Sequence, residues 1–219
     1  VFSSIDQQGR YAYAHQPSIA HWNLARFGET LLPLLADDSD AALAIANEVL
    51  PSFRSHYVGA LIGGLRAKLG LATEQEGDSE LAQAFLNALT DGQADFTLAF
   101  RRLGDAAADP AADAEVRRLF EGKPEAFDDW VVRWRQRLAA EPMDSAARKA
   151  AMDAVNPAYI PRNHRVEAAL TAAAEREDYA PFEELLTVLA KPFETRPEFA
   201  AYEEPPPPDQ RVYRTFCGT

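Results

Sequence analysis

The spacing of apolar side chains predicts helices along almost the whole chain. The first helical stretch covers residues 17–35, where apolar residues recur close to the period of one helical face. The members of that stripe are Ile19, Trp22, Phe27, Leu31 and Leu35. Before it, residues 1–17 show neither a helical period nor strand alternation, so they are predicted to form an extended, ordered loop.

The second stretch is long and contains a proline. Residues 37–39 (Asp-Asp-Ser) offer N-caps, and the apolar pattern then continues over 41–71. Pro51 should kink or divide this helix, because its ring removes a backbone hydrogen bond. Gly70 is a plausible C-cap. Within this stretch, the glycines of 59–64 (GALIGG) are interpreted as allowing close helix packing.

Shorter helical stretches complete the pattern. They are expected at 80–90, 94–103, 115–122, 127–138, 144–155, 164–177 and 181–192. Asn163 is the expected N-cap of the sixth of these, residues 106–115 are expected to be a loop, and the proline-rich 203–210 is expected to be a polyproline II spacer. Strand signals are nearly absent, although residues 10–14 could pair briefly. The fold class is therefore predicted as mainly α, with few or no strands.

Charge and composition narrow the class of protein. The 219 residues carry 22 basic and 34 acidic side chains, a net charge of −12 that disfavours nucleic-acid binding. No apolar run is long enough to cross a membrane, and no signal peptide is recognisable. A single cysteine excludes an internal disulfide and a multi-cysteine metal site, so a reducing, cytoplasmic location is expected. Because the chain begins at valine within a loop pattern, we expect a fragment of a longer protein.

Motifs that would carry chemistry are missing from the sequence. No phosphate-binding loop or nucleophile elbow occurs, and no histidine has a partner at metal-ligand spacing. Trp130 and Trp134 could form a ligand shelf, but a core face is favoured. The alternating arginines of 133–137 cannot share one helical face, which argues against an anion site there. The histidines, each interpreted as a capping or packing residue, are His15, His21, His56 and His164.

Four stretches in order along the chain nevertheless resemble one family. They are residues 9–26 (GRYAYAHQPSIAHWNLAR), 94–103 (ADFTLAFRRL), 154–170 (AVNPAYIPRNHRVEAAL) and 212–219 (VYRTFCGT). Together they resemble the C-terminal part of the selenoprotein O family of kinase-like proteins. The segment NPAYIPRNHRVEAAL is the most distinctive, and the matches span nearly the whole chain.

The resemblance implies both an activity and a domain plan. The parent protein would be a protein adenylyltransferase that transfers AMP from ATP to hydroxyl side chains of proteins, assisted by Mg or Mn. Residues 1–17 would be the rest of an activation-loop-like segment. Residues 18–204 would form one domain, the helical C-lobe of a kinase-like fold with a C-terminal helical extension. Residues 205–219 would form the proline-rich spacer and a cysteine-bearing tail.

The resemblance also implies where the chemistry lies. The family's ATP-binding and metal-binding residues precede this segment, so no catalytic, cofactor-binding or metal residue is named in this chain, and alone it is expected to be inactive. Its partners would be the protein substrates and the missing N-terminal kinase-like half. Cys217 occupies the place of the family's C-terminal selenocysteine or cysteine and is a possible redox residue. The equivalent of a second cysteine in the loop is absent, since that loop reads Phe2-Ser3.

Two other readings stay open from the sequence alone. The chain could belong to a catalytically inactive, pseudokinase-like helical module that binds a partner protein, which the acidic composition and the lack of visible catalytic groups would suit. Alternatively, Cys217 could be a thiol-reactive regulatory site without transferase activity.

Overall fold

Ten α-helices build the fold, and residues 3–213, which the computed structural model of the chain describes, contain no strand. This confirms the mainly-α prediction. The helices are α1 Gln16–Leu35, α2 Ser39–Val49, α3 Ser52–Lys68, α4 Asp78–Asp91, α5 Phe96–Ala108, α6 Asp113–Arg118, α7 Glu125–Ala139, α8 Ser145–Val155, α9 Asn163–Arg176 and α10 Ala180–Leu189.

The predicted caps of the long second stretch are confirmed. Pro51 separates α2 from α3. The Asp38 side chain accepts a hydrogen bond from the Ala41 N–H and so caps α2. After α3, Gly70 has φ +76°, and the Leu71 N–H donates to the Arg66 carbonyl oxygen. This pattern is a Schellman motif with glycine at the left-handed position, as the sequence suggested.

Other local predictions are wrong. Residues 106–115 are not a loop, because α5 continues to Ala108 and, after a 3-10 turn at Pro110–Ala112, α6 begins at Asp113. Asn163 is the first residue of α9 and not its cap, since the preceding Arg162 occupies that position without a side-chain cap bond.

Three further segments of residues 3–213 contain 3-10 turns, and one of them is Pro197–Tyr202. Within the predicted polyproline spacer, Pro208–Gln210 forms a 3-10 turn. Near the start of the chain, residues that could have paired as a strand instead enter a 3-10 turn at Tyr13–His15.

The described residues divide into two compact units, 3–61 with 212–213 and 62–211. In the first unit, α1 packs against α2. Of the buried apolar side chains in the described chain, Ala42 alone belongs to this unit. The domain boundaries inferred from the resemblance stay a prediction.

The second unit holds a large aromatic core. Its helices pack in the pairs α4 with α7, α5 with α8 and α9 with α10. Trp130 and Trp134 are stacked with ring centroids 5.3 Å apart, and Phe85 lies 4.3 Å from the Trp130 ring. Both indole N–H groups donate to backbone carbonyls, Trp130 to Leu81 and Trp134 to Leu69, each at 2.9 Å. The tryptophan stripe is therefore core and not a ligand shelf.

None of the helices in the described range 3–213 is both long enough and apolar enough to cross a membrane.

Candidate functional site

The segment NPAYIPRN, residues 156–163, connects several helices of the second unit, and we call it the brace. Its buried residues are Asn156, Ala158, Tyr159 and Arg162. Asn156 is fully buried, and its side-chain amide donates to the Lys68 carbonyl at 2.9 Å while its Oδ1 accepts from Lys68 Nζ at 3.2 Å. Lys68 Nζ also donates to the Val155 carbonyl. One asparagine thus joins the C-terminal end of α8 to that of α3.

Arg101 fastens the same segment from α5. Its guanidinium donates to the backbone carbonyls of Asn156 at 2.9 Å and Asp153 at 3.0 Å. It also donates to the Thr195 hydroxyl at 2.8 Å. Because Arg101 is buried and its donors are directed at protein oxygens, it is a structural arginine in this unit.

Arg162 lies near the C-terminal end of the brace and binds residues outside it. It forms a two-pronged pair with Asp95, at 2.8 and 3.1 Å, and donates to the Glu203 carbonyl at 2.7 Å. Asp95 also caps α5 by accepting from the Leu98 N–H. Burial alone would raise the pKa of Asp95, but the hydrogen bonds from Arg162 and Leu98 hold it below its ordinary value.

Tyr159, in the middle of the segment, binds the part of the chain that follows α10. Its hydroxyl donates to the Arg196 carbonyl at 3.0 Å and accepts from the Arg196 N–H at 2.8 Å. The backbone N–H groups of Ala158 and Tyr159 both donate to the Pro192 carbonyl. The most distinctive motif of the sequence therefore fixes α5, α8 and the end of α10 together, and it binds them through Asn156, Tyr159 and the terminal nitrogens of Arg162.

A second buried ionic cluster centres on Arg137 of α7. It donates from Nε to Asp78 at 2.7 Å and from Nη2 to the Thr73 carbonyl at 2.9 Å, and it is paired with Glu141 through Nη1. Glu141 also accepts from the Ala72 N–H at 2.9 Å and the Thr73 hydroxyl at 2.7 Å. The side chains of Asp78 and Glu141 are 3% and 0% exposed, so both charges depend on this arginine.

The pKa values in this cluster follow from that pairing. Burial by itself would raise the pKa of Asp78, but hydrogen bonds from Arg137 and from the Gln75 N–H lower it below its ordinary value. Burial alone would also raise the pKa of Glu141, but the hydrogen bonds from Thr73 and Arg137 lower it below its ordinary value. Both groups are therefore stabilised as carboxylates in the folded chain.

The three alternating arginines of α7 point apart, as their spacing predicted. Arg133 is exposed, Arg135 pairs with Asp113 and donates to the Ala106 carbonyl, and Arg137 belongs to the buried cluster. They do not form a shared anion site.

The four histidines lie apart in the described chain. His15 Nδ1 contacts the Gly9 carbonyl at 2.7 Å, His21 lies beside the Phe53 ring, and His56 lines a cleft of the first unit. His164 is buried, and burial together with the charges of Arg165 and Arg162 lowers its pKa. Over the described range, no group of three or more His, Cys, Asp or Glu side chains could hold a metal ion.

The segment before α1, residues 3–15, is an ordered loop as expected, but it consists of successive turns, with a 3-10 turn at Tyr13–His15, and is not extended. Asp6 accepts from the backbone N–H groups of Arg10 at 2.9 Å and Tyr11 at 2.8 Å. Gly9 adopts φ +66°, and the Arg10 guanidinium lies 4.6 Å from the Trp22 ring centroid. These contacts fix the loop onto the start of α1.

The helices after this loop enclose an apolar cleft of about 600 Å³ in the first unit. Side chains from α1, α2 and α3 line it, among them Leu31, Leu43, Ile45, Val49 and Phe53. Most of the lining is apolar, Arg26 and Glu29 pair with each other, and the cleft therefore has the character of a packing surface.

Cys217, the possible redox residue, lies outside the described residues.

The ion pairs between distant residues are the features that the sequence did not predict. Asp95 and Asp78 precede or begin helices, where an acid is unremarkable, and their arginines come 67 and 59 residues later. No spacing of residues along the sequence indicates a pair that is formed over such a distance.

Comparison with known proteins supplies the family. Residues 1–190 match the family model described as "Protein adenylyltransferase SelO". A protein named "Protein nucleotidyltransferase YdiU" from Rhodopseudomonas palustris strain CGA009 is 59% identical over all 219 residues, and a protein of the same name from Bradyrhizobium diazoefficiens is 58% identical. The match covers 44% of each relative, so the chain spans less than half of their length. This chain belongs to the SelO protein adenylyltransferase family.

Proposed function

We propose that this chain is the C-terminal helical part of a protein adenylyltransferase whose ATP- and metal-binding residues lie in a preceding kinase-like half. The observation that carries the proposal is the family match over residues 1–190, together with the 44% share of each relative's length. In the reaction, a protein hydroxyl oxygen attacks the α-phosphorus of ATP. The bond to pyrophosphate breaks, a phosphodiester to AMP forms, and the hydroxyl proton leaves.

The contacts of the arginines support placing the phosphate site elsewhere. Arg101, Arg137 and Arg162 are directed at carboxylates, carbonyls and hydroxyls of the chain itself. A phosphate-binding arginine needs free donors aimed into an open site. These arginines would have to leave buried carboxylates unpaired before they could bind a nucleotide.

The arginine-paired carboxylates of the described residues are also a poor fit for the divalent metal of the reaction. Mg²⁺ takes oxygen ligands, chiefly one or two carboxylates, but the buried carboxylates of Asp78 and Glu141 and the half-buried carboxylate of Asp95 are each neutralised by an arginine. We therefore propose that Mg or Mn, with ATP, binds the preceding half, and we route no step through this chain. The part of this chain is to hold the loop of residues 3–15 and to supply the helices that follow the loop. A cytoplasmic location belongs to the same proposal.

The proposal is tested by AMP transfer with the longer protein and with this 219-residue chain side by side. Labelled ATP and Mg or Mn should label protein hydroxyls only when the longer protein is present. No ATP- and metal-dependent labelling by the longer protein would reject the enzymatic function and favour an inactive interaction module. Labelling by this chain alone would place the site within it and contradict the proposed division.

We propose a regulatory role for Cys217 from the family resemblance alone. A tail thiol could form a mixed disulfide or pair with a cysteine of the preceding half. Replacing Cys217 by serine in the longer protein should abolish a response of AMP transfer to oxidant and reductant. The same redox response in wild type and variant would reject the role.

A further inference from the structure

Helix α1 exposes large apolar side chains, although it also carries polar ones such as the exposed ion pair of Arg26 and Glu29. None of its 20 residues is buried in the described chain. Trp22 is 46% exposed, Phe27 59% and Leu34 81%. A helix that carries both kinds of side chain normally turns its apolar residues toward a core, and α1 does not do so within the described residues. Isolated exposed apolar residues need no explanation, but a continuous surface of them does.

The neighbouring helices extend this surface. On α2, Leu43, Ile45 and Val49 are exposed, and with Phe53 of α3 they line the cleft of about 600 Å³. A second cleft of about 690 Å³ lies against Pro17, His21 and Tyr57 and shares Leu50 and Phe53 with the first. We call the exposed apolar surface of α1, α2 and α3 up to Leu61 the apolar face.

Glycines give a second, independent sign of a missing neighbour. Gly28 lies within α1 and Gly59 within α3, where glycine costs roughly 1 kcal/mol relative to alanine. At neither position does any other part of the described chain come within 4 Å of where a Cβ would stand. By contrast, Gly92 and Gly104 of the second unit are tightly contacted. The close packing that the glycines of GALIGG were predicted to allow therefore has no partner in the described residues.

We propose that the apolar face is the surface on which the remaining part of the longer protein packs. The inference rests on the proposed function in one respect, namely that a preceding half exists. The relatives indicate how large the packing partner is, since more than half of their length lies outside the match. Because that half is covalently joined to this chain, packing is intramolecular and needs no high concentration.

The charges around the apolar face favour this occupant over a second copy. The exposed charged side chains of residues 16–61, which we call the rim, are the acids Glu29, Asp37, Asp38, Asp40 and Glu48 and the bases Arg26 and Arg54, so acids outnumber bases. Two copies packed through the same face would bring these like charges together, which disfavours self-association. The rim instead fits a partner surface that is apolar at its centre and basic at its edge. The preceding half is thus predicted to place Arg or Lys side chains opposite this rim.

Side-chain footprinting tests the proposal without a substitution and without activity. The 219-residue chain and the longer protein are labelled with a carbene or hydroxyl-radical reagent under the same conditions. In the longer protein, Phe27, Leu34 and Leu43 should fall to the labelling of buried Phe85. Leu186, which is 54% exposed in the second unit, serves as the control and should be labelled equally in both.

A pair of matched substitutions gives a second readout. Leu34→Asp should lower the Tm of the longer protein by roughly 5–10 °C, because it buries an unpaired charge. In the 219-residue chain the same change leaves the charge in water and should not lower the Tm. Leu186→Asp should cause equally small shifts in both proteins.

Unchanged labelling of Phe27 and Leu34 in the longer protein would overturn the proposal, as would equal effects of Leu34→Asp in both proteins. Dimerisation of the 219-residue chain, with the face still labelled in the longer protein, would instead identify a second copy as the occupant. A longer protein that lacks AMP transfer but protects the face would support the packing surface and reject the proposed function, so the two failures are distinguishable.

Discussion

Replacing Arg137 by methionine should lower the free energy of unfolding of the chain by about 3–5 kcal/mol at pH 7. The change keeps an apolar stem of similar length but leaves the buried carboxylates of Asp78 and Glu141 without their cation. It also removes the donor to the Thr73 carbonyl. Urea unfolding followed by circular dichroism measures the difference.

The effect of Arg137→Met should depend on pH. In the folded wild type the pKa values of Asp78 and Glu141 lie below their ordinary values of 3.8 and 4.5. Their stabilising contribution is therefore fully present above those ordinary values and is lost as the pH falls through the lowered ones. In the variant the carboxylates protonate more readily, so the gap between wild type and variant should narrow from pH 7 to pH 3.

Arg133→Met is the matched control, because Arg133 lies on the same helix but is exposed. It should change stability by less than about 0.5 kcal/mol, as surface substitutions usually do. Equal losses for the two arginines, or an Arg137→Met loss that does not vary with pH, would contradict the buried cluster described here.

The second large effect is expected from Trp134→Ala, at about 3–5 kcal/mol. Trp134 is fully buried, stacks on Trp130 and donates to the Leu69 carbonyl. Removing the indole leaves a cavity between α7 and the end of α3 and an unpaired carbonyl. The loss is measured as a fall in the midpoint of urea unfolding at unchanged slope.

Trp134→Phe separates the two causes, because it keeps an aromatic ring and loses only part of the volume and the N–H donor. Trp134→Phe should lower the free energy of unfolding relative to the wild type, but by less than Trp134→Ala does. If Trp134→Ala cost no more than the exposed substitution Trp22→Ala, the stripe on α7 would not be the core of the second unit.

Apolar spacing was sufficient to predict the helices, because each helix of this chain has a local pattern and most have a cap or a proline nearby. Pro51, Asp38 and Gly70 act on their own neighbours, so their effects could be predicted without a fold. The boundary at α6 was missed because Asp109-Pro110, read as a loop signal, only interrupts the helix and the chain turns directly into the next one.

The brace and the ionic clusters could not be predicted in the same way. Arg162 and Asp95 are 67 residues apart, and nothing near either residue specifies the other. Their pairing exists only after α5 and α9 have been brought together. Likewise, the sequence showed Leu34 and Phe27 as ordinary helix residues, and only the structure reveals that most of α1 lacks a covering layer.

Mg-ATP binding, measured by titration calorimetry on the 219-residue chain beside the longer protein, tests the proposed division of the protein. We expect binding by the longer protein and none by this chain, since Arg137 and Arg162 are already bound to carboxylates of the chain itself. Binding by this chain alone would contradict the proposed division, because the nucleotide site would then lie within these 219 residues. Absence of binding to both would reject the adenylyltransferase in favour of an inactive interaction module.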